Sequence, residues 1–496
     1  MISSLLLQIV MIISNLIIPV SIIKSFGSNV NGLITSITQF LAYITLLESG
    51  FGPVVKSILY KPIANGNKDE IERILKSSEK FFRTISYIFI VYICILCCVL
   101  PLVVSNEFNK LYTFSLVVII SISTFAEYYF GMTYKLYLQA EQKTYITSFI
   151  QIGTTVLNTI MIVVLIYFGK NIQIVKLAST IIFVFRPILQ NMYVKKKYNI
   201  NLKEVKEEYK IKQKWDGLAQ HIASVIHNNT DAVVLTLFTN TVEVSVYSIY
   251  LLIVTGVKSV VQAFTGGVDA SFGDMIAKNE KENLNRSFKT YEIFYFTLVT
   301  IIFSCTLILI LPFVKVYTSG IIDANYYRPV FAYLIVISEL MWTIRLPYSS
   351  ITLAAGHFKE TMKGAWIECG VNIILSIILV FKYGIVGVAI GTLVAMLIRT
   401  VEFVYHTNKY ILERKQSEST IRFGIIAIQL IVVALLSKLL PTYEFTNYLI
   451  WIKYACMVLI LTLIVVLPIN LIVYKKDVKD LLNIIKRNVF RKKETN

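Results

Sequence analysis

Charge is scarce in this chain, and acid is scarcer than base. Of 496 residues only 16% are Asp, Glu, Lys or Arg, against 56% hydrophobic, and the mean hydropathy of +0.67 is too high for a water-soluble protein of this size. Histidine is rarer still: His221, His227, His357 and His406 are scattered and give no plausible metal set. All six cysteines lie within apolar stretches. Cys94 and Cys97 have the CxxC spacing but no second pair, so they read as small hydrophobes and imply no disulfide framework. Phosphate-cradling Gly-rich loops, HExxH and strand-borne nucleotide fingerprints are all missing. The longest polar stretch, Lys56–Arg83, is about 28 residues, too short for a catalytic domain. Enzyme chemistry is therefore not expected, and ATP-driven pumping would need a separate subunit.

What is present is apolar sequence in blocks. Fourteen stretches, most of at least 18 residues, run over 3–23, 33–55, 84–104, 113–134, 145–168, 172–193, 217–238, 244–268, 292–316, 330–351, 364–381, 384–405, 422–440 and 448–474. Stretches of that length cross a hydrocarbon core of about 30 Å as helices. Met1 leads almost straight into the first of them, without a basic segment or a small-residue cleavage site, so no cleavable signal peptide is expected.

The blocks repeat. Phe26–Ile37 aligns with Phe238–Ile249 at an offset of 212, and Leu75, Lys76, Glu79 and Phe81 fall on Phe288, Lys289, Glu292 and Phe294 at 213. Leu138-Gln139-Ala140 answers Leu353-Ala354-Ala355, Glu127 answers Glu339, and Arg186 answers Arg399. An even number of helices per repeat returns the chain to its starting side, so the halves are parallel. The expected fold is an all-α integral membrane protein of about 14 helices: two parallel six-helix repeats plus two extra C-terminal helices. The expected domains are an N-terminal lobe over 1–193, a basic cytoplasmic linker over 194–216, a C-terminal lobe over 217–405, the extra helices over 422–474 and a basic cytoplasmic tail over 475–496.

Cations set the orientation. If the first helix enters from the cytoplasm, 35 of 48 Lys/Arg fall on the cytoplasmic side and at most seven outside, which puts both termini inside. The net charge of +18 is mostly this topology signal. It favours anionic lipid headgroups and gives no argument for nucleic acid.

Charges within the apolar stretches are costly and face a cavity or a partner. Arg186, Lys258, Arg345 and Arg399 are embedded cations, and they form candidate ligands for a diphosphate, which arginine grips bidentately. The alternative is snorkelling or structural pairing, because Glu48, Glu127, Glu339 and Glu402 lie at similar depths and Arg399 and Glu402 are spaced i, i+3. Glu127, Asp231 and Glu339 are candidates for coupling to a proton or Na⁺, with His227 one turn before Asp231 as a possible relay or a structural histidine. Pro19, Pro101, Pro187, Pro312, Pro347 and Pro468 mark bends, and Gly387 and Gly391 form a GxxxG expected to pack closely.

Phe26-Gly27, Asn31-Gly32-Leu33, Ser36 and Leu47-Glu48-Ser49-Gly50-Phe51-Gly52 together resemble the opening of Wzx-type O-antigen and capsule flippases. So do Leu138-Gln139-Ala140 and the run from Asp231 to Tyr247-Ser248. That family lies in the multidrug/oligosaccharidyl-lipid/polysaccharide exporter superfamily, and the likeness covers essentially the whole chain. Family members usually begin with a few basic residues, which this chain does not. The resemblance implies a flippase that moves undecaprenyl-diphosphate-linked oligosaccharide repeat units to the outer leaflet of the bacterial cytoplasmic membrane by alternating access. Polymerisation into O-antigen, capsule or exopolysaccharide would follow. No cofactor is implied beyond a coupling ion. Implied partners are the lipid-linked oligosaccharide, membrane lipids, and a polysaccharide polymerase with its chain-length regulator. The last two helices would form a groove for the tail. A flippase for a peptidoglycan or teichoic acid precursor, and an ion-coupled exporter of small organic cations, are the alternatives on the same fold.

Overall fold

Asparagine begins five of the helices. The side chains of Asn67, Asn109, Asn171, Asn240 and Asn447 accept the free N–H groups of Glu70, Leu111, Ile174, Glu243 and Ile450, which have no partner one turn back. In this computed structural model, residues 2–48, 50–202, 205, 209, 218–262 and 268–475 are described, and every regular element among them is helical. In chain order these are α1 (Ile2–Phe26), α2 (Ser28–Ala42), α3 (Thr45–Glu48), α4 (Phe51–Ala64), α5 (Lys68–Val103) and α6 (Lys110–Ala126). A π-helical turn (Glu127–Gly131) leads into α7 (Met132–Ala140), α8 (Thr144–Tyr167) and α9 (Ile172–Tyr198). The second half holds α10 (Leu218–Phe238), α11 (Thr241–Gln262), α12 (Val268–Ala277), α13 (Lys281–Tyr317), α14 (Pro329–Ala354), α15 (Met362–Tyr383) and α16 (Ile385–Tyr410). The chain then continues with α17 (Gln416–Leu436) and α18 (Tyr448–Val473). The expected tail over 475–496, apart from Lys475, and most of the linker over 194–216 lie outside the described residues.

Helix boundaries carry the repeat. The starts of α2 and α11, α5 and α13, and α9 and α16 are each 213 residues apart. Among the described residues, thirteen spans are long and apolar enough to cross a membrane. The fourteenth stretch is α10, whose 21 residues would also reach across, but it carries His221, His227, Asn228, Asn229 and Asp231 and is less apolar than the rest. The chain is an all-α membrane protein of about fourteen spans. Two boundaries differ from the hydropathy reading. The stretch 33–55 is broken near Gly50, whose φ of 77° closes a turn before α4. α5 and α13, at about 54–56 Å each, are longer than the roughly 30 Å hydrocarbon core and start with several polar turns before their apolar cores.

The chain divides into two compact units. The first runs to Leu252 and takes in Gly320–Ala324 and Ile377–Val388; the second comprises Ile253–Ser319, Asn325–Ser376 and the described residues from Ala389. In the first, α1 lies along α8, α8 along α9, and α6 along both α5 and α9, around a core that includes Leu33, Ile37, Phe82, Phe89, Leu116 and Leu138. α10 packs on α2 in the same unit. In the second, α13 is the central strut, packed by α14, α17 and α18. Gln429 on α17 donates to Asn470 on α18 (2.7 Å), which donates to Thr297 on α13 (2.8 Å), and Val433, Val465 and Val466 fill the space beside them. The GxxxG glycines approach as expected: a Cβ on Gly387 would overlap the Leu379 carbonyl, and one on Gly391 would strike Ser376.

Candidate functional site

The second unit pairs its buried cations with acids from other turns and helices. Lys258 on α11 has no acid near it in sequence, yet its Nζ lies 2.6 Å from Glu339 Oε2 on α14, with both side chains under a tenth exposed. One turn on, the Trp342 ring lies 4.1 Å from the same ammonium. Arg345 Nη1 donates to Glu368 Oε1 on α15 (3.1 Å), and Arg399 Nε lies 3.2 Å from Glu368 Oε2. Arg399 also pairs with Glu402, donates to the Thr361 carbonyl (2.9 Å) and lies over the Phe403 ring, at 1% exposure. Arg345 and Arg399 are thus tied to one another by a shared carboxylate.

A second hub lies on Glu292 of α13, which is fully buried. Arg414 grips it with two N–H groups at 3.0 Å each, and Arg422 and the Tyr348 hydroxyl also reach it. Neither Glu368 nor Glu292 stood out in sequence as a site acid. Glu292 was visible only as the repeat partner of Glu79, which in its own half makes a helix-surface pair with Arg83 (2.8 Å). His357 and His406, 49 residues apart, meet at 2.9 Å between ring nitrogens. One of them must accept, so the two rings are not both charged in this arrangement.

The first unit treats its cation differently. Arg186 on α9 donates to Thr154 Oγ1 (2.6 Å) and Thr155 Oγ1 (2.7 Å) on α8 and lies over the Phe183 ring; among the described residues it makes no ion pair. Its neighbour Pro187 packs on Gly131, where a Cβ would come within 2.7 Å of the proline ring. Gly131 closes the π turn, so the wide turn and the proline accommodate one another. Glu127 opens that turn and pairs with Lys135 at 3.3 Å, both about three-tenths exposed.

A polar seam joins α2 to α10 and α11 within this unit. Asn31 donates to Ser245 (2.9 Å) and Ser248 (3.2 Å), Ser36 meets Thr236 (2.6 Å), and Tyr43 meets Thr230 (3.0 Å). A side chain on Gly32 would overlap the Thr241 carbonyl and come within 3.2 Å of the Ser245 nitrogen. Gly32 and Ser245 each stand fifth in their helix, so α2 and α11 meet at matching positions. The helix starts are capped reciprocally. Asp323, from the loop before α14, accepts from Ser28 N (2.6 Å) and Oγ (2.8 Å) at the start of α2. Glu107, from the loop before α6, accepts from Thr241 N (3.1 Å) and from its hydroxyl at the start of α11. Each carboxylate meets the positive end of a helix from the other repeat. Asp231 is buried in the same unit, accepting from the Tyr247 hydroxyl at 3.3 Å, with His227 buried one turn away.

No family model and no curated protein matches the chain. Solved structures do. The lipid II flippase MurJ, in an inward closed conformation, aligns with a TM-score of 0.67 over 97% of this chain and 99% of that one, at 17% identity. An inward-facing MATE family multidrug resistance transporter of the MOP superfamily gives 0.58 over 81% and 94%, at 12% identity. The MATE multidrug transporter DinF-BH gives 0.56 over 84% and 95%, at 14%. The chain has the fold of these transporters. The spans and the repeat place the candidate groups within that fold: Arg186, Glu127 and Asp231 in the first unit, Lys258, Glu339, Arg345 and Arg399 in the second.

Proposed function

We propose that the chain is a lipid-linked oligosaccharide flippase of the bacterial cytoplasmic membrane. It would carry an undecaprenyl-diphosphate-linked repeat unit from the inner to the outer leaflet for O-antigen, capsule or exopolysaccharide assembly. The observation that carries this reading is the extent of the fold match. The alignment with a lipid II flippase takes in nearly the whole of both chains, whereas the multidrug transporters leave about a fifth of this chain unmatched. On this reading the lobes over 1–193 and 217–405 rock by alternating access with both termini in the cytoplasm, and the seam with its reciprocal caps closes the outer side. The diphosphate meets Arg186, whose hydroxyl partners yield to phosphate at little loss. It then competes with Glu339 for Lys258, and release of that carboxylate gives a proton or Na⁺ a place to act. Asp231 and Glu127 are the further coupling candidates. Arg345 and Arg399 keep the carboxylate network in register and reach substrate only if Glu368 lets go. A polymerase and chain-length regulator would act on the delivered unit.

Ion-coupled export of small organic cations is the second reading, favoured by the buried Asp231 beside His227. Complementation of a strain lacking its own repeat-unit flippase separates the two. Rescue by the wild type, lost with Arg186→Ala and Lys258→Ala at matched membrane levels, supports the flippase. Failure to rescue, with new resistance to cationic dyes, would overturn it in favour of the exporter.

A further inference from the structure

The first unit has a groove on its flank that the proposed transport path does not use. It lies between the first turns of α8 and the last turns of α9 and holds about 1110 Å³, at or above the upper end of the roughly 300–1,000 Å³ usual for a small-molecule pocket. Its walls are Phe130, Phe149, Ile150, Leu189 and Met192. Lys195 and Lys196, on the last turns of α9 and both exposed, also line it, with Tyr145, Asn191 and Tyr193. None of the described residues lining it is acidic. A second, much smaller gap of about 10 Å³ lies between α13, α17 and α18. There Gln429, Asn470 and Thr297 bond across it.

The groove is built by the local sequence. The π turn carries Phe130 into its wall, and Pro187 against Gly131 sets the path of α9 just before Ile188 and Leu189. Lys197 is engaged by the Tyr193 hydroxyl at 2.9 Å, and the Lys195 ammonium lies 5.5 Å from the Tyr134 ring centre. Lys196 is exposed at the helix end. The walled length of α9, Ile188 to Lys196, is about 12 Å, less than half the hydrocarbon core. That depth suits the upper part of two side-by-side chains below one headgroup, rather than a single long chain.

We propose that this groove is a binding site for an anionic phospholipid of the adjoining leaflet, its phosphate on Lys195 and Lys196 and its acyl chains against Phe149, Ile150 and Met192. Charge selects the occupant. A zwitterionic headgroup brings its own cation to two exposed lysines, whereas an anionic one does not.

Native mass spectrometry of the full-length protein, with phosphatidylglycerol and phosphatidylcholine of matched chains, tests this. Phosphatidylglycerol should be retained several-fold better, with retention falling about tenfold in Lys195→Ala/Lys196→Ala and persisting in Lys195→Arg/Lys196→Arg. Because the chain is basic throughout, a site-specific readout is needed. Tryptophan fluorescence added by Met192→Trp should be quenched more by dibrominated phosphatidylglycerol than by dibrominated phosphatidylcholine. Equal retention or equal quenching of the two lipids would overturn the proposal, as would an alanine variant that folds and binds like wild type. Displacement of phosphatidylglycerol by an equimolar long-chain polyprenyl phosphate would also overturn it, assigning the groove to the carrier instead. If the alanine variant does not fold, the arginine variant and the quenching comparison decide.

Discussion

Arg186 and Arg399 occupy the same place in the two repeats and have opposite surroundings. Arg186 is held by two threonine hydroxyls and a phenylalanine face. Arg399 is held by two carboxylates, a carbonyl and a phenylalanine face, and is almost fully enclosed. The acids invert the same way: Glu127 sits half-open with Lys135, while its repeat equivalent Glu339 is sealed with Lys258. The repeats carry the arginine and the acid at matching positions, and packing gives them different partners in each half. A cation satisfied by neutral hydroxyls keeps its charge available to an incoming anion. A cation enclosed by carboxylates is already neutralised, and displacing it means exposing a buried acid.

That difference sets the order of expected effects. Arg399→Ala leaves Glu368 and Glu402 short of a partner inside the protein and should destabilise by about 3–5 kcal/mol. Thermal unfolding in detergent and steady-state membrane level report it. Arg186→Ala, measured the same way, should lose only about 1.5–3 kcal/mol. Equal losses would erase the contrast between the halves.

Lys258→Ala tests the sealed acid directly. The single change should cost about 3–5 kcal/mol by stranding Glu339. Lys258→Ala combined with Glu339→Gln should recover at least about 1 kcal/mol of that, because the uncompensated charge is gone. If the double variant is no more stable than the single, the pair is not what holds α11 to α14. Recovery of stability without recovery of complementation would assign the pair to transport rather than to folding.

Much of this architecture is legible in sequence, and the reason is physical. Hydrocarbon thickness dictates the length of each apolar block, and duplication leaves matches such as Glu127–Glu339 and Arg186–Arg399 at nearly the same offset, 212 and 213. Partner choice is different, because the rotation of a helix about its axis is set by packing against its neighbours and not by hydropathy. Sequence spacing offered Arg399 only Glu402, and the structure adds Glu368 from another helix. Lys258, alone in its own neighbourhood, meets an acid 81 positions away. α10 gave a usable signal, since polar residues dense enough to weaken a span need partners. Tyr247 for Asp231 and Thr230 for Tyr43 are among them.

The α2 seam sharpens the comparison at its next level. Gly32→Leu drives a side chain into the Thr241 carbonyl and should cost about 1–3 kcal/mol. Substitution at Gly66, where no atom lies within 4 Å but φ is +64°, costs only its backbone strain. Loss of transport with Gly32→Leu, at normal membrane level, would mean that the seam must close during the cycle.

The smallest effects are expected from the reciprocal caps, and there the two halves should behave alike. Glu107→Gln and Asp323→Asn each remove one negative charge from a helix start while keeping a hydrogen-bond acceptor. Each should therefore cost about 0.3–1 kcal/mol. Neither alone removes the other cap, so each single variant should transport nearly as well as wild type. The double variant leaves the starts of α2 and α11 without either charge, and Ser248, bonded to Asn31, lies behind them. A Ser248→Cys reporter should then react faster with a membrane-impermeant thiol reagent added from outside in the double variant than in either single one, measured against the background of the six native cysteines. A rate that rises as much in one single variant as in the double would mean that one carboxylate holds the seam by itself. The halves would then differ here too, as they do at Arg186 and Arg399.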